Sequence, residues 1–322
     1  MPDDDRPPVP KPTDETDALV PLPTPGAPVE LKLADSLESA DHGMFVHIDG
    51  KGQVRSPARY HALTALAYSL SAGAILASTI LYMDMFGPLG SSVGVVLSTA
   101  LAVGVRRGRR MIRAAALIQA ERLEEAELLC RELLGGSFVP KQLRASAYQN
   151  LAAIATRRGQ FDVALEHVRR AIQLRHSAFR LRNVVVDILA YTEVTLLVNL
   201  GRVGEARARM EARGQVPGGD FLRVQHWTAE LYVQFAERHL RIEEDALWER
   251  SQAALRITGA GQLLALCAWS YSLRGDEDMA QHLLEQAIER AEPSAAATFP
   301  LLWRWVDERR VALGLAAPSR TT

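Results

Sequence analysis

The sequence predicts an all-α chain: a solenoid of about five helical hairpins with a capping helix, preceded by two long uncharged helices and a tail without regular structure. Three observations predict it. Ala, Leu and Arg, all good helix formers, are abundant among the 322 residues, and aromatic residues make up only 6%. From Arg106 onward apolar residues recur at spacings of three and four, interrupted by short joints containing Gly, Pro or Ser. Between residues 60 and 105 charge nearly disappears.

The tail is residues 1–57. It carries Pro2, Pro7, Pro8, Pro10, Pro12, Pro21, Pro23, Pro25 and Pro28, and eleven acids against five bases. Proline lacks an amide donor, and the few large apolar side chains bury too little to offset the entropy of ordering. One local signal interrupts it: Asp49-Gly50, between Met44-Phe45-Val46-His47-Ile48 and Val54, is a hairpin turn sequence. The start of the chain is acidic and has no early apolar run, so no export signal is expected.

Residues 58–105 are expected to form a transmembrane helical hairpin. Tyr60–Met83 and Met85–Val105 contain no Asp, Glu, Lys or Arg, and only Asp84 separates them. At about 1.5 Å per residue each run crosses a hydrocarbon core of ~30 Å, and Gly87-Pro88 supplies a turn. Arg55 and Arg59 precede the pair, while Arg106, Arg107, Arg109, Arg110 and Arg113 follow it. Basic flanks stay on the cytoplasmic side, so the expected location is the inner (cytoplasmic) membrane, multi-pass, with both termini cytosolic. Small residues at every fourth position (Ala65, Ser69, Gly73, Ala77; Gly90, Gly94, Ser98, Ala102) offer a stripe for close helix packing. The competing expectation is a hairpin buried in a soluble domain.

Residues 106–314 read as helix after helix, leaving 315–322 as a short C-terminal tail. Ala147–Leu174 is helix, turn, helix: Tyr148, Leu151 and Ala152 on the first helix, Gly159 at its end, then Phe161, Ala164, Val168 and Ala171. Gly159 fits a left-handed helix end, and the alanines fit a close crossing. Gln262–Ala287 repeats the order with Tyr271, Gly275, Ala280, Leu284 and Ala287. Weaker units centre on Ala126, Ala206 and Ala246, and Ala295–Leu313, with Trp303 and Trp305, reads as the cap. These units resemble tetratricopeptide repeats. Their second-helix alanines, 126, 164, 206, 246 and 280, are mostly spaced more widely than that family's period of about 34 residues.

The resemblance implies a protein or peptide ligand on the concave face lined by the first helices. Gln149, Ala153 and Arg157 of one unit, and Gln262 and Trp269 of another, stand at the corresponding positions. Trp269 is either a peptide anchor or a contact for the capping helix. The family's carboxylate clamp is not matched at Gln149, Asn150 and Ala153.

No catalytic, cofactor or metal motif stands out. No GxxxxGK[ST] or HExxH occurs, and Cys130 and Cys267 lie far apart within apolar helical patterns, as reduced core residues of a cytosolic domain do. The net charge of −1 points to no bulk partner. Charge is nevertheless split: twelve Arg face six acids between Arg144 and Arg213, and seven Arg face thirteen acids between Asp220 and Glu292. The basic half is a candidate dock for the acidic tail or for anionic lipid, as are Arg106–Arg113. No aromatics interleave the arginines, so nucleic acid is not an expected partner. The functional expectation is a membrane-anchored, non-enzymatic scaffold; the alternative is a soluble repeat protein that senses a peptide.

Overall fold

The computed structural model describes residues 88–176, 184–214, 218–257, 259–291 and 294–315, with isolated pieces at 47–48, 54–55 and 73. The proline-rich tail, the uncharged run Tyr60–Met83 apart from Gly73, and Pro293 lie outside the described residues. Two short strands, β1 (His47–Ile48) and β2 (Val54–Arg55), pair antiparallel with Ile48 opposite Val54, as the Asp49-Gly50 signal predicts. The rest of the described chain is helical.

The first helix, α1 (Pro88–Gln119), is 32 residues long, about 48 Å at 1.5 Å per residue. Pro88 opens it, where a missing amide donor costs nothing. Its C-terminal part is packed: Met111, Ala114, Leu117 and Ile118 are buried on one face, whereas Ala102, Val103 and Arg106 are exposed. The predicted boundary at residue 105 is therefore no break in the backbone. Among the described residues no helix is long and apolar enough to cross a membrane.

Eleven further helices follow: α2 (Leu123–Gly135), α3 (Lys141–Arg157), α4 (Phe161–His176), α5 (Val184–Asn199), α6 (Val203–Glu211), α7 (Asp220–Glu237), α8 (Glu244–Arg256), α9 (Gly261–Arg274), α10 (Glu277–Glu289), α11 (Ala295–Thr298) and α12 (Pro300–Ala312). The first ten form five successive hairpins. Each second helix also packs on the first helix of the next hairpin, α2 on α3, α4 on α5, α6 on α7 and α8 on α9. This is the repeat-like stacking expected from the sequence.

One turn geometry recurs in all five hairpins. The first helix ends on a left-handed residue, at Glu121, Gly159, Gly201, Arg238 and Gly275. The following amide then reaches back five residues, as in Gln160 N to Ala155 O at 2.8 Å and Arg202 N to Leu197 O at 2.8 Å. That pair of features is a Schellman ending, which satisfies the last carbonyls and reverses the chain. Gly159 and Gly275 were legible because glycine favours positive φ; Glu121 and Arg238 adopt it without that help.

Five residues after the left-handed position stands a buried small residue in four hairpins: Ala126, Ala164, Ala206 and Ala280. In the fourth hairpin the connection is longer. Leu247, 0% exposed, takes the equivalent place, its amide bonded to Glu243 O as Ala164 N is to Gln160 O. Ala246 is half-buried, so the sequence spacing was one residue out of register there.

The core runs the length of the stack in two clusters. Met111, Leu117, Cys130, Leu133, Leu151 and Ile154 hold α1, α2 and α3 together. A larger cluster extends from α3 and α4 to α12, and Tyr148 packs against both. Removing this apolar surface from water, at about 25 cal/mol per Å², is the main stabilising contribution.

Candidate functional site

The face formed by the first helices was the expected ligand site, and the chain's own C-terminal segment lies on it. α12 packs on α7 and α9, and α11 reaches α3. It therefore crosses the first-helix face instead of only extending the end of the stack. The reason is a set of polar and aromatic partners that only this position supplies. Asn199 of α5 donates through Nδ2 to the Thr298 carbonyl at 2.9 Å and accepts from the Tyr232 hydroxyl at 2.6 Å. Phe299 meets the Tyr232 ring edge-on at 5.0 Å, and Phe235 meets Trp269 at 5.2 Å and Trp305 at 6.4 Å. Such tilted aromatic pairs place ring edges against π faces, a favourable electrostatic geometry. Arg309 closes the far end on Glu277, at 2.9 Å, and on the Ser272 hydroxyl.

This arrangement decides the surroundings of each predicted groove residue. Trp269 is 6% exposed, with its indole against Phe235 of α7, so it presents almost nothing to an incoming peptide, and Phe235 in turn meets Trp305 of α12. Gln262 is half-buried and the neighbouring Ala265 is fully buried. In α3, Ala153 is exposed and Gln149 half-buried, while the Arg157 guanidinium is held by Glu121. Of the five predicted positions Ala153 alone is exposed: Gln149 and Gln262 are half-buried, Arg157 is tied to Glu121 and Trp269 is buried.

The predicted packing residues sit within the hairpins. Leu151, Ala152, Ala164, Ala171, Tyr271 and Ala280 are buried; Tyr148 and Phe161 are half-buried against the core. Tyr148 also carries the Arg170 guanidinium over its ring at 5.7 Å and lies 5.8 Å from the His167 ring.

Many arginines in the middle of the chain are paired, some with acids of the same stretch and two with Glu127 and Glu237 outside it. Arg158 pairs with Glu127 at 2.6 Å, Arg169 with Glu193 at 2.9 Å and Glu205 at 2.6 Å, and Arg207 with Glu237. Arg170 pairs with Glu166, Arg202 with Glu205 and Arg213 with Asp187. Several of these arginines thus serve as bridges between successive helices, which lowers the free positive charge among the described residues. Arg169, Arg170 and Arg202 line a shallow cleft of about 390 Å³ beside Asp162 and Glu166, where acids and bases alternate.

A second polar group is enclosed. His226, 4% exposed, lies 3.3 Å through Nδ1 from the Tyr191 hydroxyl and 3.8 Å through Nε2 from Glu230. Arg250 reaches Glu230 at 3.1 Å, and Arg213 covers the Tyr191 ring at 4.8 Å. Burial lowers the His226 pKa; Glu230 opposes the shift, and Arg250 and Arg213 reinforce it. Both cysteine side chains are fully buried, and burial raises their pKa, to about 11 for Cys130 and about 12 for Cys267. Neither thiol is ionised near neutral pH, so neither is a ready nucleophile. Among the described residues no group of three His, Cys, Asp or Glu side chains is placed to hold a metal ion.

Comparison of the chain with protein-family profiles, curated proteins and solved structures finds no match. The likeness to tetratricopeptide repeats consequently rests on the hairpins themselves. Two features of the site were missed in the sequence. Asn199 has no flanking signal, since its partners are 33 and 99 residues away. Trp303 and Trp305 signalled a capping last helix but not that it packs on α7 and α9.

Proposed function

We propose that this protein is a membrane-anchored scaffold whose tetratricopeptide-like stack recruits a protein partner at the cytosolic surface of an inner membrane. The observation that supports it most is the continuity of α1. An uncharged sequence over 88–105, about 27 Å of helix, runs without a bend-forming proline into the part of α1 packed on α2 and α3. Five arginines mark the junction, as expected for a cytosolic flank. A helix shared by anchor and stack would hold the stack rigidly relative to the bilayer. Ala153 on α3 is the exposed position for the partner.

Alkaline extraction of membranes tests the anchor: the protein is expected to remain in the pellet, and release into the supernatant would refute the reading. A photocrosslinker at Ala153 in membrane-embedded protein tests the partner surface. It is expected to capture a discrete protein that a crosslinker at Leu128, on α2, does not.

A second reading draws on the covered first-helix face. A segment of the chain lying where repeat proteins hold peptides acts as an internal ligand, and a soluble peptide sensor would exchange it for an external one. Release at alkaline pH together with loss of protection over 295–312 on adding peptide would favour that reading.

A further inference from the structure

The loop between α2 and α3 contains the most exposed large apolar side chain of the described residues. Phe138 is 99% exposed, and its backbone is left-handed, with φ 54°. Bulky residues rarely adopt that conformation, and an aromatic ring fully in water forgoes its burial energy. Both features need a reason. The loop is nevertheless held firmly. Arg107 of α1 donates to the Phe138 carbonyl at 3.1 Å and to the Ser137 carbonyl at 3.0 Å, and Gly136 N closes on Leu133 O at 3.1 Å.

Arg107 ties this loop to one level of α1: the level at which the uncharged stretch ends and the arginines begin. Arg106, Arg109 and Arg113 are exposed there, and none is in an ion pair among the described residues. Lys141, exposed at the start of α3, follows the loop. The combination is an aromatic side chain at the level of Arg107 and a stripe of cations along about two turns of α1, beside a helix that continues uncharged on the other side. Aromatic residues prefer the polar–apolar boundary of a bilayer, and exposed arginines complement anionic headgroups.

We propose that Phe138 and the surrounding basic residues form an interfacial foot that seats the first hairpin on an anionic lipid leaflet. This rests on the membrane-anchored reading above and adds to it a second point of contact. Two contacts, one along α1 and one at Phe138, fix rotation of the stack about the α1 axis as well as its height. The side of the stack carrying Ala153 then faces a constant direction relative to the membrane.

Full-length protein carrying Phe138→Cys tests the foot, with Gln160→Cys, exposed in the turn at the other end of the hairpins, as control. The native cysteines are fully buried, so a polarity-sensitive fluorophore reacts at the introduced one. The labelled proteins are reconstituted into phosphatidylcholine vesicles with or without about 30 mol% phosphatidylglycerol. With phosphatidylglycerol, the label at 138 is expected to be blue-shifted and at least about threefold less quenched by acrylamide than the label at 160, as for a group at the membrane interface. Equal quenching at the two sites in protein that resists alkaline extraction would overturn the foot and leave the anchor standing. Shielding that is the same without phosphatidylglycerol would overturn the role of the basic residues. Release of the protein by alkali would overturn the anchor and the foot together.

Discussion

Asn199→Ala probes how firmly the C-terminal segment is held on the first-helix face. The side chain makes two bonds: it donates to the Thr298 carbonyl at 2.9 Å and accepts from the Tyr232 hydroxyl at 2.6 Å. Tyr232 is fully buried, so its hydroxyl has no recourse to bulk water once the acceptor is gone. A net loss of about 1 kcal/mol for each bond, and about 1 kcal/mol more for the stranded hydroxyl, sums to about 2–3 kcal/mol. Of this, the Thr298 bond is the part made by the segment, and its loss of about 1 kcal/mol weakens closure by roughly fivefold; the rest falls on the packing of α5 against α7. Hydrogen exchange of the 299–311 amides in the full-length protein reads the closure directly, since local opening sets their protection. Tyr232→Phe removes one bond and strands the Asn199 amide oxygen less severely, so about 1 kcal/mol is expected. The double variant should resemble Asn199→Ala alone, with a coupling of about 1 kcal/mol. An acceleration below threefold for Asn199→Ala, or additive effects in the double variant, would refute the view that this bond pair clamps the segment.

Other expectations follow from the same geometry. Gly261→Ala should destabilise the protein by about 1–2 kcal/mol despite the better helix former, because the new Cβ would stand 2.9 Å from the Arg290 carbonyl oxygen and 3.3 Å from that of Ala287, both backbone atoms. Gly204→Ala, with nothing within 4 Å of the added carbon, should instead gain about 0.5–1 kcal/mol; denaturant midpoints of the two variants should move in opposite directions. His226 has a pKa below its ordinary 6.5 in the folded chain, so the unfolded chain takes up its proton first as pH falls. Stability is then full above about pH 6.5 and declines as pH drops through the folded value; His167 is shifted in the same direction, so His226→Gln should flatten the decline without abolishing it. An unchanged slope in urea titrations between pH 7.5 and pH 5 would contradict this. Cys130 and Cys267 should both resist a thiol reagent at pH 8 in the folded protein and react promptly in denaturant, and fast native reaction at either would show that its helix opens.

The five-hairpin organisation was legible because it is local. A helical hairpin needs apolar residues at spacings of three and four, a left-handed ending and a small residue soon after it, and Ala147–Leu174 displays all three. The fourth hairpin was misregistered because Arg238, not glycine, takes the left-handed position, and the longer connection after it shifts the buried position to Leu247. The charge split was visible, but its meaning was not. Arg158 and Arg207 find their acids 31 and 30 residues away, outside the arginine-rich stretch, so a running count over that stretch overstated the free charge.

By itself, the sequence determined the helical repeat, the glycine endings, the uncharged stretch that becomes the first part of α1, and the burial of the two cysteines. Each follows from the residues within one or two turns of helix. Only the tertiary structure decided that α11 and α12 lie across the first helices, that Trp269 is buried against Phe235, and that Phe138 stands out in water beside Arg107. Those outcomes depend on which surfaces meet after the chain has folded back over a hundred residues, and no local pattern encodes that meeting.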